Sequence, residues 1–249
     1  GGTLYSDNRV MYLQYYPEGY PYTIELDYTI ESDNTAFIPT FYLHTNYNSS
    51  IEHKSIEITY EPSLVLRQKI FDPDKQMNIN KSQGLFKVSV SNLESLMAEP
   101  YSPNINELVP NIKFATDKFQ LEGIDGTAIS WEEFGKWEYE NLLEGLDRLP
   151  NETILKIDKL VKNAKTKKEK VKLIYQFVQE NTRYISVQLG IGGLRPYPAK
   201  EVDELGYGDC KGLTNYTKAL LDLASIPTKE KMVTNSNGSM SASPLLANT

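Results

Sequence analysis

The chain has 249 residues, 33 acidic against 26 basic side chains, a formal net charge of −7, two histidines and one cysteine. This excludes an internal disulfide, leaves any metal to carboxylates because a Cys/His zinc cluster lacks ligands, and argues against sequence-independent nucleic-acid binding, which needs clustered Lys and Arg. With 40% hydrophobic and 24% charged residues the chain is globular, one large or two modest domains, and its apolar runs fall short of the ~20 residues that cross a bilayer. Gly1-Gly2 reads as a tag remnant or an arbitrary boundary, so composition alone leaves localisation open.

The first half has period two. In Tyr22 to Glu31 the residues Tyr22, Ile24, Leu26, Tyr28 and Ile30 share one face and Thr23, Glu25, Asp27, Thr29 and Glu31 the other, which predicts a half-buried antiparallel strand. Ser55 to Tyr60 repeats the pattern with Ile56, Ile58 and Tyr60 inward, and Phe86 to Val90 with Phe86, Val88 and Val90 inward. Phe37 to Leu43 reads as a further strand, and turn residues cluster at 47–50, 71–74 and 81–84. A β-sandwich-like domain follows.

From Asn92 to Glu152 there are 13 Asp or Glu against Lys113, Lys118, Lys136 and Arg148, and Pro100, Pro103 and Pro110 predict a loop over 99–111. In Ser130 to Trp137 the side chains of Trp131, Phe134 and Trp137 recur every three residues and share a helical face. Such a trio is either a carbohydrate or peptide platform or a stripe that docks onto the sandwich; docking is the reading adopted.

After Pro150 the period becomes helical. Ile154, Ile157, Leu160, Val161 and Ala164 predict a short amphipathic helix, and Thr166-Lys-Lys-Glu169 is a capping box that starts a second one, with Val171, Ile174, Tyr175 and Val178 as its core face. Eight lysines lie between Thr153 and Lys172, against only Asp158 and Glu169; they read as a solvated helical face, with a patch for an anionic partner as the alternative. There is no internal repeat.

Gly206-Tyr-Gly-Asp-Cys-Lys211 then opens a helix along Leu213, Thr217, Leu220, Leu221 and Ala224 that Pro227 stops. Cys210 therefore occupies the first turn, where free backbone N–H groups and the positive end of the helix dipole favour a thiolate and can stabilise an oxyanion. A lone cysteine is otherwise a small buried hydrophobe.

The run Ile174 to Gly193, the spacer with Pro196 and Pro198, and the Gly-Asp-Cys-Lys turn resemble the transglutaminase-like superfamily of papain-like cysteine enzymes, in its bacterial branch, over about residues 159–226. Pro21 to Glu25, Pro110 to Phe114 and Ser130 to Trp137 resemble the β-rich domain of unknown function that precedes such a core in many bacterial envelope proteins. The resemblance implies an α+β chain: an antiparallel β-sandwich over residues 1–150, then the helical, cysteine-bearing half of a papain-like core over 151–249.

It also implies acyl transfer by a Cys-His-Asp triad on peptide or protein amides, outside the cytoplasm, in the periplasm or cell envelope. Cys210 matches the nucleophile, its backbone N–H one oxyanion donor, and Gln188 a second donor, beside its plainer reading as a strand-end polar residue. Asp209 shapes or caps the turn. No cofactor is implied, since a thioester route needs none.

This chain departs from the pattern in that no histidine follows Cys210, and His44 and His53 belong to the β-rich region. Past Ile226-Pro227 the tail has loop composition, with alternation only at Lys231-Met-Val233. The chain is thus expected to be a piece of a longer enzyme or a non-catalytic relative, with negligible amidase activity and a weak tendency to self-associate through an uncovered apolar face. The rival expectation is a binding module whose β-sandwich recognises an envelope glycan or protein.

Overall fold

The computed structural model describes residues 3–6, 12, 14–71, 77–234 and 240–246. Its elements in chain order are β1 (Thr3–Ser6), β2 (Phe41–Tyr42), β3 (Ile51–Thr59), β4 (Leu66–Phe71), β5 (Asn78–Ser82), β6 (Leu85–Leu93), α1 (Ile105–Leu108), β7 (Asn111–Thr116), β8 (Lys118–Leu121), β9 (Ile124–Thr127) and α2 (Trp131–Glu138). A π-helical turn (Tyr139–Leu143) leads to α3 (Asn151–Val161), α4 (Lys167–Asn181), β10 (Arg183–Tyr184), β11 (Ser186–Gln188), a 3₁₀ turn (Gly190–Gly193), α5 (Ala199–Leu205), β12 (Tyr207–Gly208), α6 (Cys210–Leu223), β13 (Thr228–Thr234) and β14 (Met240–Leu246). The fold is mixed α and β, with several small, unclosed sheets. It packs as two compact units, Tyr28–Trp137 and Gly1–Asp27 with Glu138–Thr249.

Unit Tyr28–Trp137 contains two antiparallel three-stranded sheets, β2-β7-β4 and β3-β6-β5, and the hairpin β8-β9. Alternation does its work on β6: Phe86, Val88 and Val90 are buried, and Ile56 and Ile58 of β3 and Ile79 of β5 pack on the same cluster. Phe41 and Leu43, with Ile112 and Phe114 of β7, complete that cluster, and the Phe86 and Phe114 rings meet edge to face at 5.1 Å. The β5–β6 turn closes at Gly84, with φ +74°, where an added Cβ would lie 2.9 Å from the Tyr60 carbonyl oxygen. The turn expected at 71–74 falls mostly outside the described residues.

Several expectations need correction. Residues 22–31 form no strand, and Ile24, Leu26, Tyr28 and Ile30 are exposed. Alternation prepares a strand, but only a partner edge supplying ladder hydrogen bonds makes one. The strand expected over 37–43 shrinks to Phe41–Tyr42, because Pro39 has no N–H to give a ladder. The loop expected over 99–111 contains one helical turn, Ile105–Leu108, whose Asn104 side chain accepts from the Asn106 N–H at 3.0 Å. The tail is a hairpin, β13-β14, running from Thr228↔Leu246 to Thr234↔Met240; antiparallel pairing joins backbone groups and so does not require alternating side chains.

The second unit has a helical core. Ile157 and Val161 of α3, Ile174 and Val178 of α4, Ala199 and Val202 of α5, and Tyr216, Ala219, Leu220 and Leu221 of α6 form one buried cluster. The capping box is present: Thr166 Oγ1 accepts from the Glu169 N–H, and Glu169 Oε2 accepts from the Thr166 N–H, each at 3.2 Å. Tyr175, expected on the core face of α4, is exposed instead; four residues C-terminal to Val171 it has rotated beyond the stripe that Ile174 and Val178 bury. Two parallel pairs, β1-β11 and β10-β12, complete this unit.

Candidate functional site around Cys210

The start of α6 is built by the short strands before it. β10 pairs with β12 through Arg183↔Tyr207 and Tyr184↔Gly208, and the Ile185 N–H donates to the Gly208 carbonyl at 3.0 Å. Gly208 is buried close to Val202 and Leu213; a Cβ added there would lie 3.3 Å from a Val202 methyl, so a side chain would crowd the turn. This pairing lays Arg183 and Tyr184 beside Tyr207 and Gly208, just before Cys210; Gln188 follows four residues beyond the last paired position, at the end of β11, which pairs with β1, and is half-buried.

Asp209 is the N-cap of α6 and is fully buried. Its Oδ1 accepts from the Gly212 N–H at 2.8 Å, its carbonyl accepts from the Leu213 N–H at 2.9 Å, and its Oδ2 pairs with the Lys211 ammonium. Cys210 is the first helical residue and a half-buried free thiol. Backbone N–H donors left free at a helix start are an arrangement that can stabilise an oxyanion. Tyr197 borders the same turn: its Cβ lies 3.2 Å from where a Cβ on Gly212 would stand. Burial first, and then the charges of Tyr207, Asp209 and Glu201, hold the Tyr197 hydroxyl above the ordinary tyrosine pKa.

Behind the site a polar lattice fixes the helices. Asp203 of α5 accepts from Tyr216 Oη at 2.5 Å and from Thr153 Oγ1 at 2.7 Å, tying α5 to α6 and α3. Burial, followed by the hydrogen bond to and charge of Asp203, pushes the Tyr216 pKa far above its ordinary value. Asn215 Nδ2 donates to the Leu146 carbonyl at 2.9 Å and the Tyr197 carbonyl at 3.2 Å, which pins the loop before α5 to the cysteine helix. Sequence patterns missed this lattice. The signal for α5 was present in Pro198 before it and Gly206 after it, the latter at φ +67° with its N–H bonded to the Val202 carbonyl at 2.9 Å.

The histidines sit in the other unit. His44 is buried, with Nε2 bonded to the Glu94 carbonyl at 2.9 Å, and His53 on β3 places Nδ1 3.0 Å from Ser91 Oγ. Among the described residues no group of three or more His, Cys, Asp or Glu side chains is arranged to hold a metal, and no helix is long and apolar enough to cross a membrane.

The aromatic trio on α2 divides. Trp137 is buried, its ring 4.9 Å from that of Phe119 on β8 and its Nε1 donating to the Asp125 carbonyl at 2.9 Å, while Phe134 packs 5.8 Å from it. Trp131 projects outward, 86% exposed.

Residues 1–95 match the family model described as a domain of unknown function with a solved structure (DUF3857). Comparison with the curated proteins gives no match. Among solved structures, this chain is similar to the crystal structure of a "putative protease" from Parabacteroides distasonis, at 17% identity and a TM-score of 0.53 over 81% of this chain. The chain spans 37% of that protein's length, and at such identity the likeness concerns the fold.

Proposed function

We propose that the chain belongs to a bacterial, transglutaminase-like protease or acyltransferase acting on peptide or protein amides outside the cytoplasm, with a β-sandwich-like domain over 1–150 and part of a papain-like core over 151–249. The carrying observation is Cys210 at the first position of α6, behind a buried Asp209 cap and next to a paired strand; similarity to the Parabacteroides protein supports the protease-like direction.

In this chemistry the Cys210 sulfur adds to the amide carbon, forming a C–S bond while the oxygen takes the negative charge. The Cys210 N–H, with Gln188 as second donor, stabilises that charge. The C–N bond then breaks, the departing nitrogen takes a proton from a general acid, and water or an amine cleaves the thioester. The acid–base partner is the element that this chain does not supply after Cys210, where no histidine occurs. The expected outcome is negligible amide turnover together with alkylation of the native thiol that is faster than that of the urea-unfolded chain at neutral pH. A thiol protected until the protein unfolds would make Cys210 a packing residue and refute the reading.

A second reading rests on a different observation. An open depression at the β8–β9 hairpin is lined by Phe119 and Trp137 together with Lys118, Gln120, Asp125 and Thr127, a mixture of aromatic and polar side chains that suits a glycan or peptide. Ligand-induced shifts confined to these residues would favour a binding module.

A further inference from the structure

Charge is segregated along this acidic chain. Residues 92–152 hold 13 carboxylates against four bases, and the stretch from Thr153 to Lys172 then carries eight lysines and two carboxylates, a local net of +6 in a molecule of net −7. The fold turns that stretch into a surface. Ile157 and Val161 of α3 and Ile174 and Val178 of α4 enter the helical core, so Lys159, Lys162, Lys165, Lys167, Lys168 and Lys172 are left exposed.

Little on the protein offsets them. Among the described residues, the ion pairs engage one lysine of the eight, Lys156 with Glu152 at 3.0 Å. The Glu169 carboxylate is turned back onto the backbone N–H groups of Lys165 and Thr166, at 2.6 and 3.2 Å. Two apolar side chains stand among the lysines. Leu155 is 59% exposed and shares a helical stripe with Lys159 and Lys162, at i, i+4 and i+7; Tyr175 is 55% exposed and shares one with Lys168 and Lys172 at the same spacing.

We infer that the outer face of the α3–α4 pair docks peripherally on an anionic lipid bilayer. Lysines meet acidic headgroups, a tyrosine settles at headgroup level, and a leucine enters the acyl boundary. An anionic polymer would reward the lysines and leave Leu155 without a role. At physiological salt, carboxylates more than about 8 Å from the bilayer surface are largely screened from it.

The test is co-sedimentation of the intact chain with vesicles of phosphatidylglycerol and phosphatidylcholine, and with vesicles of phosphatidylcholine alone, at low and high salt. Binding is expected to the anionic vesicles only, and to weaken with salt. Replacing Lys159, Lys162, Lys167 and Lys168 by Gln should lower the partition coefficient by more than roughly a hundredfold, since each lysine near the surface contributes severalfold. Leu155→Ser should lower it less, and Lys69→Gln with Lys113→Gln should leave it unchanged. Unchanged circular dichroism would show that the quadruple variant folds. Equal binding to neutral vesicles, no binding, or an unaffected quadruple variant would overturn the inference. So would binding to soluble polyphosphate without binding to vesicles, or a salt-sensitive dimer that the same four substitutions abolish.

Discussion

Asp209 combines two roles that are usually separate. It caps α6 through the Gly212 N–H and neutralises Lys211, whose side chain is only 12% exposed. Removing a cap costs about 1 kcal/mol, and leaving a largely buried charge unpaired costs about 3 kcal/mol. Asp209→Ala is therefore expected to lose about 3–4 kcal/mol in urea unfolding, and Asp209→Asn, which keeps the cap but still leaves Lys211 unpaired, about 1 kcal/mol less than that. Tyr216 gives a pH signature. Because burial and Asp203 raise its pKa above the ordinary 10.0, the unfolded chain gives up this proton before the folded one. The contribution is fully present below pH ~10 and is lost above it, at up to about 1.4 kcal/mol per pH unit. Unfolding free energies measured from pH 9 to 11.5 should fall less steeply in Tyr216→Phe than in the parent.

At the scale of the element, helices and their ends were largely legible and strands less so. The Thr166 to Glu169 box, the buried stripe of Ile157 and Val161, and the helix opening at Cys210 all depend on residues within one or two turns of each other. The period-two runs split: 86–90 is a central strand and 22–31 is none, although its alternation is the clearer of the two. On α2 the spacing of Trp131, Phe134 and Trp137 marks a face without saying how far the partner surface extends. Trp137→Ala should cost about 3–5 kcal/mol, as for other large buried aromatics, and Trp131→Ala should stay within about 0.5 kcal/mol. Chemical denaturation of both variants checks the pair; equal costs would contradict the packing of Trp137 against Phe119.

For the whole molecule, two separate clusters predict that each core opens without the other. Ile112 lies in the core of the β-rich unit and Leu220 in that of the helical unit, both fully buried and with no cluster partner in common. Ile112→Ala should speed amide exchange across β6 and β7 and leave α6 protected, and Leu220→Ala should do the reverse. Cross-effects of similar size would mean that the cores act as one.

From the sequence alone came the acidic composition, the change from period two to helical period near Pro150, the caps, the lysine concentration and the position of Cys210 at a helix start. All of these are set by neighbours along the chain, where propensity, hydrophobic period and turn chemistry act. Tertiary structure alone decided that 22–31 goes unpaired, that Tyr175 and Trp131 face outward, that the tail forms a hairpin, and that Asp203 joins three helices. Those outcomes depend on which distant surface supplies a ladder, a cavity or a hydrogen-bond partner, and no local pattern encodes that.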